Sequence, residues 1–448
     1  MSITIENRIW DSHETLGRPE LEALQGQRLR NLVQRVAHVP FYKQKFAEMD
    51  ISPDSISSAA DVSKLPFTTK SDLRGEYPLG FLACERKQIV RIHGSSGTTG
   101  KPTFVAYTRN DREMWSNLCA RFLVAGGLRD DHLCHVAFSY GLFTGGFGLH
   151  YGIEAVGAAI CPAAGGNTPR HIMLIQDLKP DVLICTPSYA LHIAEVARQQ
   201  GVDPRSLTLR YGHFGGEPWT EEMRLKIEAE FDMNAFNNYG LSEVIGPGVS
   251  GECCCHAGMH VQEDHFIVEC IDPVTLKAVP DGERGELVFT CLTKEAFPLI
   301  RYRTRDIAVL NHVQCECGRT TCRMSRVVGR SDDMLIIRGV NVFPSQIEEA
   351  LLRVDGIAPQ YLIEIARPGT MDEISVKVEI SPQTFSDKMR QMQELKRRID
   401  HEIHSITGIR MEIQLVEPQT IERSVGKAVR VVDHRKLGTV AGPTVAKN

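Results

Sequence analysis

Apolar residues recur at helical spacing between residues 20 and 49, at Leu21, Leu24, Leu29, Leu32 and Val36, which predicts a helix across that stretch. From about residue 88 the pattern alternates. Short apolar runs bounded by turn residues, at 133–138, 158–161, 182–185 and 210–214, are separated by stretches of helical periodicity. After Thr108, the residues Met114, Trp115, Leu118, Phe122 and Leu123 make one apolar helical face. Asn110 and Asp111 at its start suit capping and the helix dipole. Strands alternating with helices predict α/β architecture with largely parallel sheets.

The character changes after about residue 245. Strands at 286–290 and 306–310, set among turns such as Pro280-Asp281-Gly282, read as a β-rich subdomain. Beyond Gly329-Arg330-Ser331-Asp332-Asp333 a smaller α+β unit follows. Its expected strands are 334–337, 361–366, 374–380 and 411–416, its helices 345–354 and 385–404, and the residues from Gly438 read as a loose tail. The expected division is a large N-terminal domain over 1–331 and a small C-terminal domain over 332–448. The longest apolar stretch, 136–165, carries His150 and Glu154 and is broken repeatedly by glycine. It fits a strand, a glycine loop and a buried helix better than a membrane span.

At 448 residues the chain is long for a single core, so two or more domains are expected. A formal net charge of −5 gives no basic footprint for nucleic acid. The segment MSITIENRIWDSHETL has no basic region followed by an apolar core, so no secretory signal is read there. Thirteen cysteines without such a signal read as reduced thiols in a cytoplasmic protein. Cys134, Cys185 and Cys291 lie singly in apolar runs, as small core residues do. Two groups differ: Cys253-Cys254-Cys255-His256 with His260, and Cys315 and Cys317 with Cys322.

The segment Ser95-Ser96-Gly97-Thr98-Thr99-Gly100-Lys101-Pro102-Thr103 carries the strongest chemical signal. Small hydroxyl and glycine residues let the main chain approach an anion and offer it N–H and O–H donors. A Walker A loop is excluded by spacing. Ser95 stands where that motif needs its first glycine, Pro102 where it needs a hydroxyl, and a strand-like run (Phe104, Val105, Ala106, Tyr107) follows instead of a helix.

An ordered series of motifs extends over nearly the whole chain: SSGTTGKPT at 95–103, YGLFTGG at 140–146, CTPSYA at 185–190 and GGEPWTEEM at 215–223. It continues with YGLSEVIGPGV at 239–249, LTKEAFPLIRYRTRD at 292–306, GRSDDMLIIRGVNVFPSQIE at 329–348 and a terminal SVGKAVRV. In this series the chain resembles the adenylate-forming superfamily of acyl-CoA synthetases, nearest its phenylacetate-CoA ligase branch. The resemblance implies a large N-terminal AMP-binding domain of mixed and parallel sheets with helices and a β-rich subdomain, followed by a small mobile α+β domain.

The implied reaction has two halves: a carboxylate attacks the α-phosphate of ATP, giving an acyl-adenylate and pyrophosphate, and the thiol of coenzyme A then displaces AMP. Two anions must meet in the first half, which calls for positive charge and Mg²⁺ at the reacting oxygens. By this resemblance Ser95, Ser96, Gly97, Thr98, Thr99, Gly100 and Lys101 hold the triphosphate, and Glu243 ligates magnesium. Tyr239 stacks near the adenine, Asp306 accepts from the ribose hydroxyls and Arg330 reaches the ribose or phosphates. Gly215, Gly216, Glu217, Asn238, Gly240 and Ser242 complete the nucleotide set. Lys427 is the catalytic lysine that bridges carboxylate and α-phosphate. Asp332 is the hinge, and Gly339 lines the thiol tunnel.

Tyr140, Phe143, Gly145, Gly146, Gly216 and Pro247 are expected to form a flat apolar slot for an aromatic ring. The family commonly has alanine where Gly216 stands, so a larger or substituted ring is admitted. Cys253, His260, Cys315 and Cys317 resemble a zinc site of some family members. Four soft and imidazole ligands leave no open position, which implies a structural ion. The bland alternative is a set of unligated thiols, and Cys254, Cys255, His256 and Cys322 depart from the pattern.

The sequence therefore predicts an ATP- and Mg²⁺-dependent ligase joining phenylacetate or a close analogue to coenzyme A, as a cytoplasmic homodimer that engages neither nucleic acid nor membrane. Two alternatives stay open: activation of another aryl acid (a benzoate, anthranilate or indole-acetate) with coenzyme A or a carrier protein as acceptor, or a binding module on an inactive ligase scaffold.

Overall fold

The computed structural model describes residues 5–95, 102–332, 335–337, 340–366, 373–381, 384, 389–422 and 430–434. The expectations for Ser96–Lys101, Gly339, Lys427 and the tail from Gly438 fall outside these residues. Two compact units emerge, Met1–Glu217 with Ile227–Val327, and Pro218–Lys226 with Val328–Asn448.

In the first unit the helical periodicity of residues 20–49 resolves into two helices, α1 (Arg18–Val36) and α2 (Pro40–Glu48). The single expected helix is broken because Pro40 has no N–H to continue the ladder and instead opens α2. The elements that follow are α3 (Lys70–Gly75), β1 (Arg91–Gly94), β2 (Phe104–Tyr107), α4 (Arg109–Ala125), β3 (Leu133–Val136) and α5 (Thr144–Val156). Then come β4 (Ala159–Cys161), α6 (Thr168–Leu178), β5 (Val182–Cys185), α7 (Pro187–Gln199), β6 (Tyr211–Gly215), α8 (Glu221–Phe231, which falls to the second unit as far as Lys226) and β7 (Asn234–Leu241). The last are β8 (Gly246–Glu252), β9 (Met259–Val261), β10 (Phe266–Ile271), β11 (Arg284–Cys291), β12 (Tyr302–Asn311) and β13 (Arg323–Met324).

One sheet path dominates, in the order β10-β11-β12-β13-β9-β8-β7-β6-β5-β3-β4. From β4 through β7 neighbouring strands are parallel; from β7 through β10 they are antiparallel. The β-rich segment after residue 245 thus extends the same sheet, and only its first half is parallel as the alternation predicted. The cap of α4 is also reassigned. Thr108, not Asn110, is the N-cap, in a capping box with Asp111, while Asn110 bonds Glu295. A hydroxyl just outside the first turn reaches the free N–H groups better than an amide already inside it. Trp115, Leu118, Phe122 and Leu123 are buried as the apolar face required.

The second unit contains β14 (Gly329–Arg330), β15 (Leu335–Ile337), β16 (Val340–Val342), α9 (Pro344–Leu352), β17 (Ile357–Ala366), β18 (Glu373–Ile380), α10 (Met389–Thr407), β19 (Glu412–Val416) and β20 (Val431–Asp433). Its four-stranded sheet has the order β19-β18-β17-β20. Ile363, Val376 and Val378 of the sheet share a buried core with Ile347 of α9 and Ile399 and Ile403 of α10.

Candidate active site

Ligands of open α/β sheets bind outside the carboxyl ends of parallel strands, where the free loops converge. Here those ends carry most of the predicted residues of the first unit. Tyr140 and Phe143 follow β3, Thr186 follows β5, Gly215-Gly216-Glu217 ends and follows β6, and Ser242 and Glu243 follow β7. The turn from Leu241 to Gly246 is also where the sheet passes from parallel to antiparallel pairing.

The predicted adenine and ribose residues meet. The Tyr239 hydroxyl donates to Asp306 Oδ2 at 2.6 Å, and the Tyr239 ring stacks on Phe289. Asp306 is held in turn by its own N–H, which donates to Thr304 Oγ1 at 3.0 Å, and Thr304 donates to the Leu287 carbonyl at 2.8 Å. The arginines around it are engaged elsewhere. Arg301 forms a fork on Glu269 and lies over Phe67, Arg303 forms a fork on the fully buried Glu286, and Arg305 lies 3.6 Å from the same carboxylate. That motif is therefore a brace for Asp306. Asn238 Nδ2 donates to the Phe214 carbonyl at 2.8 Å, and Glu217 accepts the Ser188 N–H at 2.8 Å, capping the start of α7.

Gly240 is fixed by contact, since a Cβ there would come within 1.9 Å of the Gly246 carbonyl oxygen. Gly216 is fixed by its backbone, with φ of +83°. A Cβ at 216 would meet the Phe138 ring at 3.5 Å and the Thr186 methyl at 3.7 Å, ordinary contact distances. The methyl therefore has room there, and the left-handed backbone is what favours glycine.

On the other wall Tyr140 packs edge-on against Phe147 and its hydroxyl is 3.2 Å from His150 Nδ1. Burial pushes the Tyr140 hydroxyl above its usual pKa, so it stays protonated. The Phe143 ring fills the place a Gly145 side chain would take, and Ser139 O sits 2.8 Å from a Cβ on Gly146. The Pro247 carbonyl accepts from Trp115 Nε1 at 2.7 Å, which fixes the far edge of the slot.

Glu243 is 6% exposed, and its Oε1 lies 3.3 Å from Lys70 Nζ. Lys70 opens α3 behind the cap Thr69 and is 35% exposed, so its ammonium stands on the rim. Sequence reasoning missed this lysine. In the second unit Arg330 forms a fork on Asp332, at 2.8 and 2.9 Å.

A separate cluster forms where β8, β9 and β13 meet. Cys253, His260, Cys315 and Cys317 are all buried, with their donor atoms within 4.8 Å of one another. Cys253 follows β8, His260 lies on β9, and pairing of Arg323 with His260 brings the loop before β13 alongside. The Cys253 and Cys315 sulfurs are 3.8 Å apart, and Cys317 Sγ is 3.4 Å from His260 Nε2. A tetrahedron with bonds of about 2.3 Å to sulfur and 2.0 Å to nitrogen has edges of about 3.5–3.8 Å. Thr321 Oγ1 lies 3.2 Å from His260 Nδ1 and orients the ring, leaving Nε2 toward the thiols. The Cys253 thiol is pushed up by its hydrogen bond to Cys317 and by burial, and the Cys317 thiol is pushed down by that bond and by His260. Cys254 and Cys255 are half-buried and pack against this cluster, and the Cys322 N–H donates to Glu263.

Residues 40–290 match the AMP-binding enzyme family, and residues 339–435 match the AMP-binding enzyme C-terminal domain. The chain is 47% identical to phenylacetate-coenzyme A ligase of Aromatoleum evansii, over 94% of this chain and 96% of that protein. It is 46% identical to phenylacetate-coenzyme A ligase of Thermus thermophilus, over 94% and 98%. The chain belongs to the AMP-binding enzyme family, on its phenylacetate-coenzyme A ligase branch. The crystal structure of 2-hydroxyisobutyryl-CoA ligase in complex with its acyl-AMP superposes with a TM-score of 0.90 at 30% identity, covering 95% of this chain and 92% of that one.

Within this AMP-binding enzyme the structure thus joins Tyr239 to Asp306, sets Glu243 against Lys70, and gathers Cys253, His260, Cys315 and Cys317. Lys70 escaped the sequence reading because a lysine at the first turn of a short helix has no spacing signal. Its partner, Glu243, is 173 residues away, a separation no local pattern encodes.

Proposed function

We propose that this acid–thiol ligase activates phenylacetate or a close aryl-acetic analogue with ATP and transfers the acyl group to coenzyme A. The observation that carries the reading is the joining of Tyr239 to Asp306 beside the Glu243 turn, at the carboxyl ends of the parallel strands. Asp306 offers two acceptor oxygens, which suits a vicinal ribose diol. Tyr239 presents a ring face to the base and spends its hydroxyl on Asp306, so both are preorganised. Tyr140, Phe143 and Pro247 line an apolar slot for the aryl group, and Gly216 leaves its floor open. Gly215, Glu217, Asn238, Gly240 and Ser242 shape the backbone around the nucleotide, and Arg330 is assigned to its ribose or phosphates.

Glu243 would hold Mg²⁺, as a hard carboxylate suits that ion. When bound, the ion neutralises phosphate oxygens so that two anions can approach. Lys70 Nζ lies 3.3 Å from Glu243 Oε1, and a metal held by Glu243 would compete with that ammonium. Ser95 to Lys101 and Lys427 are assigned to the triphosphate and to the reacting oxygens, Asp332 to the hinge and Gly339 to the thiol tunnel. We place the domain boundary at 331/332 on that basis, with the small domain as the moving part.

Cys253, His260, Cys315 and Cys317 would hold Zn²⁺ in a structural role, since four buried donors leave no position for substrate. The free state of all thirteen cysteines suits a reducing cytoplasm, and a homodimer is the assembly to test by light scattering. Pyrophosphate release across a panel of aryl-acetic, benzoic, anthranilic and indole-acetic acids, with and without coenzyme A, tests the reaction. Phenylacetate is expected to give the highest kcat/KM. A clear preference for a benzoate, or turnover only with a carrier protein, overturns the substrate assignment.

A further inference from the structure

Lys294 is 1% exposed, and its ammonium reaches the carbonyl of the residue that follows Glu243. Nζ donates to the Val244 carbonyl at 2.9 Å and lies 4.6 Å from the centre of the Tyr107 ring. The base of the side chain is equally fixed. Arg35 donates to the Lys294 carbonyl at 3.3 Å, and the next two N–H groups, of Glu295 and Ala296, donate to the Asp111 carboxylate at 2.6 and 2.9 Å. The groups facing this ammonium are His93 on β1, Tyr107 on β2, Asp111 on α4, Cys291 on β11 and Glu243.

The segment it holds is short and pinned repeatedly. The N–H groups of Val244 and Ile245 donate to the Leu241 carbonyl at 3.1 and 3.2 Å, closing a turn around Glu243. Tyr107 donates to the Ile245 carbonyl at 2.9 Å, Trp115 to the Pro247 carbonyl at 2.7 Å, and Ser242 Oγ is 2.9 Å from Thr144 Oγ1. Two of these carbonyls are held by neutral donors. The one beside Glu243 is held by a cation, with the Cys291 thiol as a longer second donor at 3.8 Å.

A neutral donor would satisfy a carbonyl, and a methionine would fill the volume without the cost of burying an ammonium. Burial does push Lys294 below the usual lysine range, while Cys291, Asp111 and Glu243 act the other way. Among the described residues no carboxylate lies within ion-pair distance of it, and its direct polar partner is the Val244 carbonyl. Lys70, by contrast, touches Glu243 directly and stands on the exposed rim.

We propose that Lys294 is a positioning residue for adenylation: a buried ammonium that locks the Glu243 turn through the Val244 carbonyl, whereas Lys70 contacts the Glu243 carboxylate itself. This rests on Glu243 serving the nucleotide–metal complex, so the test separates the two claims. Lys294→Met is compared with wild type and Glu243→Gln. In protein free of nucleotide and metal, amide exchange at Val244 and Ile245 is expected to rise in Lys294→Met, while exchange in β17 and β18 is unchanged.

In the loaded enzyme the adenylation rate is expected to fall at least about tenfold, and the Mg²⁺ concentration for half-maximal rate to rise, because misplacement of a reacting group by even ~1 Å is costly. Thioester formation from supplied acyl-adenylate stays within about twofold of wild type, and Lys294→Arg recovers part of the loss. If Lys294→Met does not fold, Tyr107→Phe loosens the same turn at Ile245 and is expected to show the same pattern more weakly. Adenylation intact in Glu243→Gln overturns the Glu243 assignment itself. Adenylation lost in Glu243→Gln, but with rate and exchange unchanged in the Lys294 and Tyr107 variants, overturns the role of Lys294 alone. Equal loss of both half-reactions in Lys294→Met also overturns it.

Discussion

Glu243 and Cys253 lie only ten residues apart in the chain, yet the clusters they belong to are built in opposite ways. Glu243 is a buried carboxylate whose directly contacting cation, Lys70, is partly exposed and is expected to be exchangeable. The Cys253, His260, Cys315 and Cys317 nest has four donors turned toward one another and none toward solvent. The loop bearing two of them is bolted down by the N-terminal segment. Asn7 Nδ2 donates to the Cys317 carbonyl at 2.7 Å, and Arg319 Nη2 donates to the Arg8 carbonyl at 2.6 Å. Arg319 also pairs with Glu14 in a buried contact. The first arrangement would leave a bound metal open to substrate. The second would close around its ion and turn ligand binding into stability.

The sharpest break of this contrast is Glu243→Gln. We expect it to lower the adenylation rate by about 10²- to 10³-fold, as for loss of one preorganised electrostatic group, with the unfolding temperature nearly unchanged. Pyrophosphate exchange and calorimetry measure the two sides, and a stability loss without a rate loss reverses the assignment. Cys315→Ser, or removal of metal by a chelator, is expected to do the converse. Stability should fall by about 3 kcal/mol or more, while the rate per folded molecule stays within about twofold. Metal analysis of purified protein should give zinc bound to the nest, and an unfolding temperature indifferent to chelator rules the closed metal site out.

A smaller effect is expected at Asp306. Asp306→Asn keeps the shape but weakens a charged acceptor, and KM for ATP is predicted to rise about tenfold, in line with ~1.5 kcal/mol for one charged hydrogen bond. An unchanged KM for ATP with a raised KM for the acid would move Asp306 from the ribose to the acid slot. The smallest is Lys70→Ala, for which about a threefold change in the Mg²⁺ dependence is expected, because an exposed cation is screened. A loss as large as that of Glu243→Gln would make Lys70 part of the reacting centre and end its description as exchangeable.

The Cys/His cluster was legible because soft donors are rare and grouped, and the resemblance singled out Cys253, His260, Cys315 and Cys317 from their neighbours Cys254, Cys255, His256 and Cys322. Tyr239 and Asp306 were legible through the motif series, although their 2.6 Å contact joins β7 to β12 across 67 residues. Lys70 and Lys294 were not, since each matters for the point in space its ammonium reaches. The helix expected across residues 20–49 failed for a local reason, Pro40, which outweighs the apolar periodicity around it.

By itself the sequence determined the family, the alternation of strands and helices from β3 to β7, the second α+β unit and the residue types available for catalysis. These follow from periodicity and chemical rarity, which are properties of neighbours along the chain. Only the tertiary structure decided that the antiparallel strands continue the same sheet, that Gly216 answers to a left-handed backbone more than to ring size, and which lysines serve Glu243. The two lysine contacts join positions 173 and 50 residues apart, and a one-dimensional pattern carries no such distances.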